Sequence, residues 1–245
     1  MKSFKKALVA VAAAAAMSSS FATVTVQGVS WEPGNLNAQF NFYQQFVGLE
    51  LKGFGEFYKW GVFDNPNSGT GGAPTGFAPL RELTLQFGGF FVQNPVAVGG
   101  GASPVFSNGW LKVYSDNTPD YANGTTPTGT GDSDFATPFL ELTANSNTFI
   151  SSGAGAVSGQ LNVFWDVTGG AAATLFDTDH FLLLTDVSSR ASATFSSLAV
   201  ALTGGVSNEG GNGQVDLYSI PEPGSLALLG LGLVGLAAAR RRKSA

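Results

Sequence analysis

His180 is the sole histidine of this 245-residue chain, set beside Asp177 and Asp179 in the phrase FDTDHFLLLT. With no cysteine anywhere, thiolate nucleophiles and Cys- or His-rich zinc sites are excluded. A Ser-His-Asp triad would have to be built on His180. No G-x-S-x-G elbow accompanies it, since GAVSG at 155–159 spaces its serine differently. The plainer reading is a partly exposed histidine at the start of a strand. Two carboxylates meeting in the fold would suit sugar hydrolysis, yet no spacing marks such a pair, and no catalytic residue is assigned.

The acids offer a second chemistry. Asp132 and Asp134, and again Asp177 and Asp179, stand two residues apart, with Asp116 and Asp120 upstream of the first pair. Calcium takes several hard oxygens from a flexible loop, so each pair supplies two ligands. Neither carries the EF-hand or glycine-rich nonapeptide pattern. Solvated acids at turns are the competing reading, and no cofactor is required. Tryptophans offer a third chemistry, flat platforms for sugars. Trp165 alternates with Leu161 and Val163, which marks it as core. Trp110 shares a face with Lys112 and Tyr114, opposite Leu111 and Val113. It is the better candidate for exposure, against an edge-of-core position.

Such residues must be positioned by strands. ELTLQF sets Leu83, Leu85 and Phe87 against Thr84 and Gln86, and FLELT sets Leu140 and Leu142 against Glu141. WLKVY, GQLNVFWDV, ATFSSLAVAL and GQVDLYS alternate likewise, while GLELKGFGEFYKW reads as a glycine-interrupted strand pair. Period-two alternation in short runs bounded by Gly, Pro, Asn and Asp signals half-buried antiparallel strands. NPNSGTGGAPTG and DNTPDYANGTTPTGTGDSD are loops. The expected fold is all-β, an antiparallel sandwich or jelly roll over residues 23–220, flanked by an N-terminal signal helix and a short C-terminal apolar helix.

Composition bounds the partners. Between Thr23 and Ile220 five basic residues (Lys52, Lys59, Arg81, Lys112 and Arg190) face sixteen acidic ones, a net of −11. Such a body repels phosphate backbones, which disfavours nucleic acid. Without disulfides, stability must come from a core, which the 20 phenylalanines can supply.

The two ends read as addresses. Lys2, Lys5 and Lys6 precede an apolar run from Ala7 to Met17, and Ser20-Phe21-Ala22 presents small residues for a signal peptidase, with cleavage expected between Ala22 and Thr23. Residues 1–22 are thus a signal peptide. At the other end Ser225–Ala239 holds fifteen uncharged residues, a helix of about 22 Å against the roughly 30 Å of a bilayer core. Arg240, Arg241, Arg242 and Lys243 come next as a stop held in the cytoplasm. Pro221-Glu222-Pro223 precedes the apolar run, and its prolines resist both strand pairing and helix formation.

Pro-Glu-Pro, a short apolar segment and an arginine-rich end, in that order over residues 221–245, resemble the PEP-CTERM sorting signal of Gram-negative surface proteins. The resemblance implies recognition of the tail by an exosortase, a tether in the inner membrane, removal of the tail, and delivery of the body to the cell surface or extracellular matrix. The phrases ELTLQFGGF, NGWLKVYSD, LNVFWDVTGG and GQVDLYSIPEPG are similar to the flocculation-associated branch, which implies a structural or adhesive role alongside exopolysaccharide. A carbohydrate-binding module assisted by calcium is the alternative, and a hydrolase using acidic catalysis the third.

Overall fold

A computed structural model of the chain describes residues 23–61, 63–64, 82–94, 104–116, 121, 130–131, 135–151, 158–194 and 208–220. Two short strands, β1 (Val24–Val26) and β2 (Val29–Trp31), come first. After them lie β3 (Gly34–Val47), β4 (Glu50–Trp60), β5 (Phe63–Asp64), β6 (Glu82–Phe91), β7 (Trp110–Asp116), β8 (Leu140–Ser151) and β9 (Ser158–Gly169). A one-turn helix α1 (Ala173–Phe176) and a 3-10 turn (Leu182–Leu184) lead into β10 (Val187–Thr194) and β11 (Asn208–Ser219).

Apart from the two-residue β5, consecutive strands from β3 onward pair antiparallel with the next in the chain. β11 then returns to pair with β3 along its length, from Ser219↔Gly34 to Asn208↔Gln45. β3 also pairs with β4, so the sheet closes. The result is an eight-stranded, up-and-down antiparallel barrel. This overturns the expected sandwich or jelly roll. Period-two alternation records only that each strand has one buried face, which a sandwich and a barrel satisfy equally. The deciding fact is that β3 has partners on both edges, and no pattern within a strand carries that.

β3 alternates over fourteen residues. Leu36, Ala38, Phe40, Phe42 and Phe46 are buried, while Asn37, Gln39, Asn41, Tyr43 and Gln45 face out. On β11 Val215 and Leu217 point in and Asn212, Gln214 and Asp216 point out. Polar residues on the outside and phenylalanines within are the reverse of a lipid-facing barrel, which carries an apolar outer band. GLELKGFGEFYKW is not a strand pair. Its residues from Glu50 form the single strand β4, and the turn falls at Gly48 and Leu49, where Gly48 has φ +62°. Of ATFSSLAVAL, only Ala193 and Thr194 belong to a described strand, and the rest lies outside the described residues.

Glycine makes room for the interior rings. A Cβ on Gly211 would stand 2.5 Å from Phe42 Cζ, and one on Gly213 would collide with Phe40 Cζ. The aromatic ring of one strand thus covers the bare backbone of the next, a pairing that supports glycine within a sheet. One end of the barrel is closed by the β1–β2 hairpin and α1. Trp31 stacks on Phe176 with centroids 5.2 Å apart and meets Phe139 edge-on at 5.9 Å. Its indole N–H donates to Ser219 Oγ at 2.9 Å, inside the core. The hairpin is thereby tied to the last residue of β11, at the end from which the chain leaves at Ile220.

Candidate functional site

Among the described residues the barrel interior is filled by core side chains. Phe40, Phe42, Phe87, Phe90 and Trp165 leave a cavity of about 40 Å³. That holds a water molecule or so, far below the 300–1,000 Å³ of a typical small-molecule site. The Trp165 indole N–H donates to Ser189 Oγ at 2.7 Å within it.

On the outer surface the strand registers assemble a polar face. Lys59, Gln39, Gln214, Arg190 and Asn162 form one cross-strand row over β4, β3, β11, β10 and β9. Asn41, Asn212, Ser192 and Gln160 form the next. Together with Tyr58 and the backbone at Gly213, this face contains an open groove of about 390 Å³. Its amides are held by their neighbours. Asp216 Oδ1 accepts from Asn37 Nδ2 at 2.7 Å and from Gln214 Nε2 at 3.0 Å, and Gln160 Nε2 donates to Ser192 Oγ at 3.4 Å. Arg190 is exposed and has no ion-pair partner among the described residues. Amides both donate and accept, and a guanidinium takes a carboxylate or sulfate in a two-pronged bond. The face thus sets hydrogen-bonding amides around an exposed cation.

Trp110 lies on the other side of the barrel, 39% exposed. Its ring covers the kink at Gly88 and Gly89, where an added Cβ would stand 3.0 and 3.1 Å from it. Next to it, Lys112 Nζ donates to Glu141 Oε1 at 2.8 Å. That bond holds the Lys112 ammonium above its ordinary pKa, against an opposing effect of burial. Burial raises the Tyr114 phenol, and Lys112 draws it back down. Trp31, Trp60 and Trp165 are all buried to 2% exposure or less, so Trp110 is the exposed tryptophan.

His180 does not open a strand. It lies exposed in the loop between α1 and the 3-10 turn, with its ring flat on Tyr218. Asp177 and Asp179 are exposed in the same loop, while Asp132 and Asp134 lie outside the described residues. Among the described residues no three His, Cys, Asp or Glu side chains group as metal ligands. Asp186 is a structural residue that sequence reasoning missed. Its buried carboxylate accepts from the backbone N–H of Thr178 at 2.6 Å, Asp179 at 2.7 Å and Val167 at 2.8 Å. It is a structural anchor for the loop, and a lone aspartate next to a strand gives no signal of that. Tyr121, also missed, is buried, and its hydroxyl has no hydrogen-bond partner among the described residues.

Ala22, the Pro221-Glu222-Pro223 motif and Arg240–Lys243 lie outside the described residues; Thr23 is the first residue inside them. Among the described residues no helix is long and apolar enough to cross a membrane. The family model of the PEP-CTERM protein-sorting motif matches residues 219–243. An up-and-down β-barrel thus passes directly from the end of β11 into a sorting signal. The chain is a PEP-CTERM protein, an exosortase-sorted protein exported to the cell surface. No curated protein and no solved structure gives a significant match.

Proposed function

We propose that the barrel is a non-catalytic structural or adhesive component of the cell-surface matrix of a Gram-negative bacterium. A signal peptidase cuts after Ala22, the short apolar tail holds the intermediate in the inner membrane, and an exosortase reads Pro221-Glu222-Pro223 and removes the apolar segment and basic end beyond it. The observation that supports this reading is the sorting motif at residues 219–243, joined to a barrel whose described interior is packed with aromatic and aliphatic side chains around a cavity of about 40 Å³. Fractionation of the host tests it. Deleting the exosortase, or changing Glu222→Ala, is expected to leave a longer precursor in the inner membrane and to deplete the surface pool. An unchanged distribution contradicts it.

A second reading is favoured by the groove around Arg190 and its amides, where Arg190 and Lys59 share one cross-strand row and make this face locally cationic within an acidic body: the outer wall binds an acidic exopolysaccharide, which would link it to aggregation or biofilm. Retardation of the protein in gels containing an acidic polysaccharide, lost on Arg190→Gln and absent with a neutral glucan, supports it. Equal mobility in all gels removes it.

A further inference from the structure

Leu182, Leu183 and Leu184 are 67%, 58% and 73% exposed, and Leu183 and Leu184 hold φ of +64° and +57°. A leucine disfavours this left-handed region, and strain of this kind persists only where the surroundings enforce it. Here they do. The Phe181 N–H donates to Thr185 O at 2.7 Å, the Thr185 hydroxyl donates to Leu182 O at 2.7 Å, and Asp186 gathers the N–H groups of Thr178 and Asp179. The loop is a braced turn that pushes three apolar side chains into solvent.

Its place in the fold identifies what it meets. His180 rests on Tyr218, two residues before the chain leaves the barrel at Ile220, whose N–H donates to Leu175 O at 3.0 Å. Five residues after Ile220 the uncharged run Ser225–Ala239 begins, a reach of at most about 18 Å even when fully extended. The β1–β2 hairpin, which comes directly after the signal segment, sits at the same end. When the tail is embedded, this end of the barrel faces the bilayer within that reach. The loop carries Asp177 and Asp179 and no lysine or arginine, so apolar contact and not headgroup charge must hold it.

We infer that the Leu182–Leu184 turn inserts into the surface of the bilayer that holds the tail, fixing the barrel's orientation on the membrane until processing. This rests on the reading of the tail as a membrane tether.

Because the chain lacks cysteine, single labels can be placed on the full chain in phosphatidylcholine vesicles: Leu183→Cys in the turn, Ser192→Cys on the outer wall and Leu229→Cys in the tail. Each carries an environment-sensitive dye and is probed with a lipid bearing a shallow nitroxide. The expected result is quenching at 183 and 229 and none at 192, with the quenching at 183 falling as phosphatidylglycerol is added. A Leu182→Cys label in the doubly substituted Leu183→Asn, Leu184→Asn chain is expected to lose its quenching while the melting temperature holds or rises, since asparagine accepts this backbone. Quenching at 229 with none at 183 overturns the inference and leaves the tether standing. Quenching at neither position overturns both.

Discussion

The imidazole of His180 lies flat on the phenol ring of Tyr218, with centroids 4.0 Å apart and planes inclined by 11°. The one histidine of the chain thus acts as a clasp, joining the loop after α1 to the final strand of the barrel just before the sorting signal. An aromatic pair of this kind contributes about 0.5–1.5 kcal/mol beyond its burial. Tyr218→Ala is expected to lower stability by at least that amount. It should also speed amide exchange at Thr178 and Asp179 more than in β9, as read by hydrogen-exchange mass spectrometry. Uniform exchange across both regions would remove the clasp.

Asp186 is the second fastening of the same loop. An amide side chain cannot accept from three N–H donors as the carboxylate does, and bonds to a charged acceptor are the stronger kind. Asp186→Asn is expected to destabilise by on the order of 3 kcal/mol, measured by urea unfolding. A loss within about 0.5 kcal/mol, the range of ordinary surface changes, would show that the carboxylate is dispensable.

Tyr121 gives a pH signature. Burial, reinforced by Glu56, Tyr43 and Glu82, pushes its phenol from the ordinary value of 10.0 up to about 12. The folded state therefore keeps this proton at a pH where the unfolded chain releases it. Its contribution is complete below about pH 10 and declines as pH rises toward 12. Ultraviolet titration should show Tyr121 ionising last, with Tyr114 also shifted upward. The Tyr121 hydroxyl has no hydrogen-bond partner among the described residues, so Tyr121→Phe should leave stability at neutral pH unchanged or improved, and should weaken the alkaline decline.

Gly213 and Phe40 are direct partners across β11 and β3, and a methyl on the glycine would overlap the ring. Gly213→Ala is expected to cost about 1–3 kcal/mol through overpacking. Adding Phe40→Leu should recover part of that loss, giving a coupling term in a double-mutant cycle. Strict additivity of the two changes would contradict the contact.

Strand faces were legible in the sequence because a buried face imposes its own alternation. Leu83 and Leu85, Leu140 and Leu142, and Leu161, Val163 and Trp165 are buried as expected, whereas Thr84, expected on the half-exposed face, is buried too. Closure was not legible, since the pairing of Gly34 with Ser219 joins residues from opposite ends of the body and leaves no local trace. Glycines misled the reading of Glu50–Trp60, because Gly53 and Gly55 resemble turn residues. A Cβ at Gly53 would in fact stand 2.5 Å from Phe87 Cζ, and one at Gly55 would stand 2.8 Å from Phe42 Cα. The sorting motif was legible because its message is linear: the order of Pro221-Glu222-Pro223, the uncharged run and the basic end along the chain carries the signal. The Arg190 groove was not, since its residues come from five strands and meet only through register.

If the residues after Pro221-Glu222-Pro223 are a detachable address, the mature protein must lack them. The intact mass of the protein recovered from the surface of its native host decides the matter in a single spectrum. The expected mass is that of a chain that begins at Thr23 and ends within or near the motif, without Arg240–Lys243. A surface form that still carries the arginine-rich end in a host with active exosortase would contradict this reading.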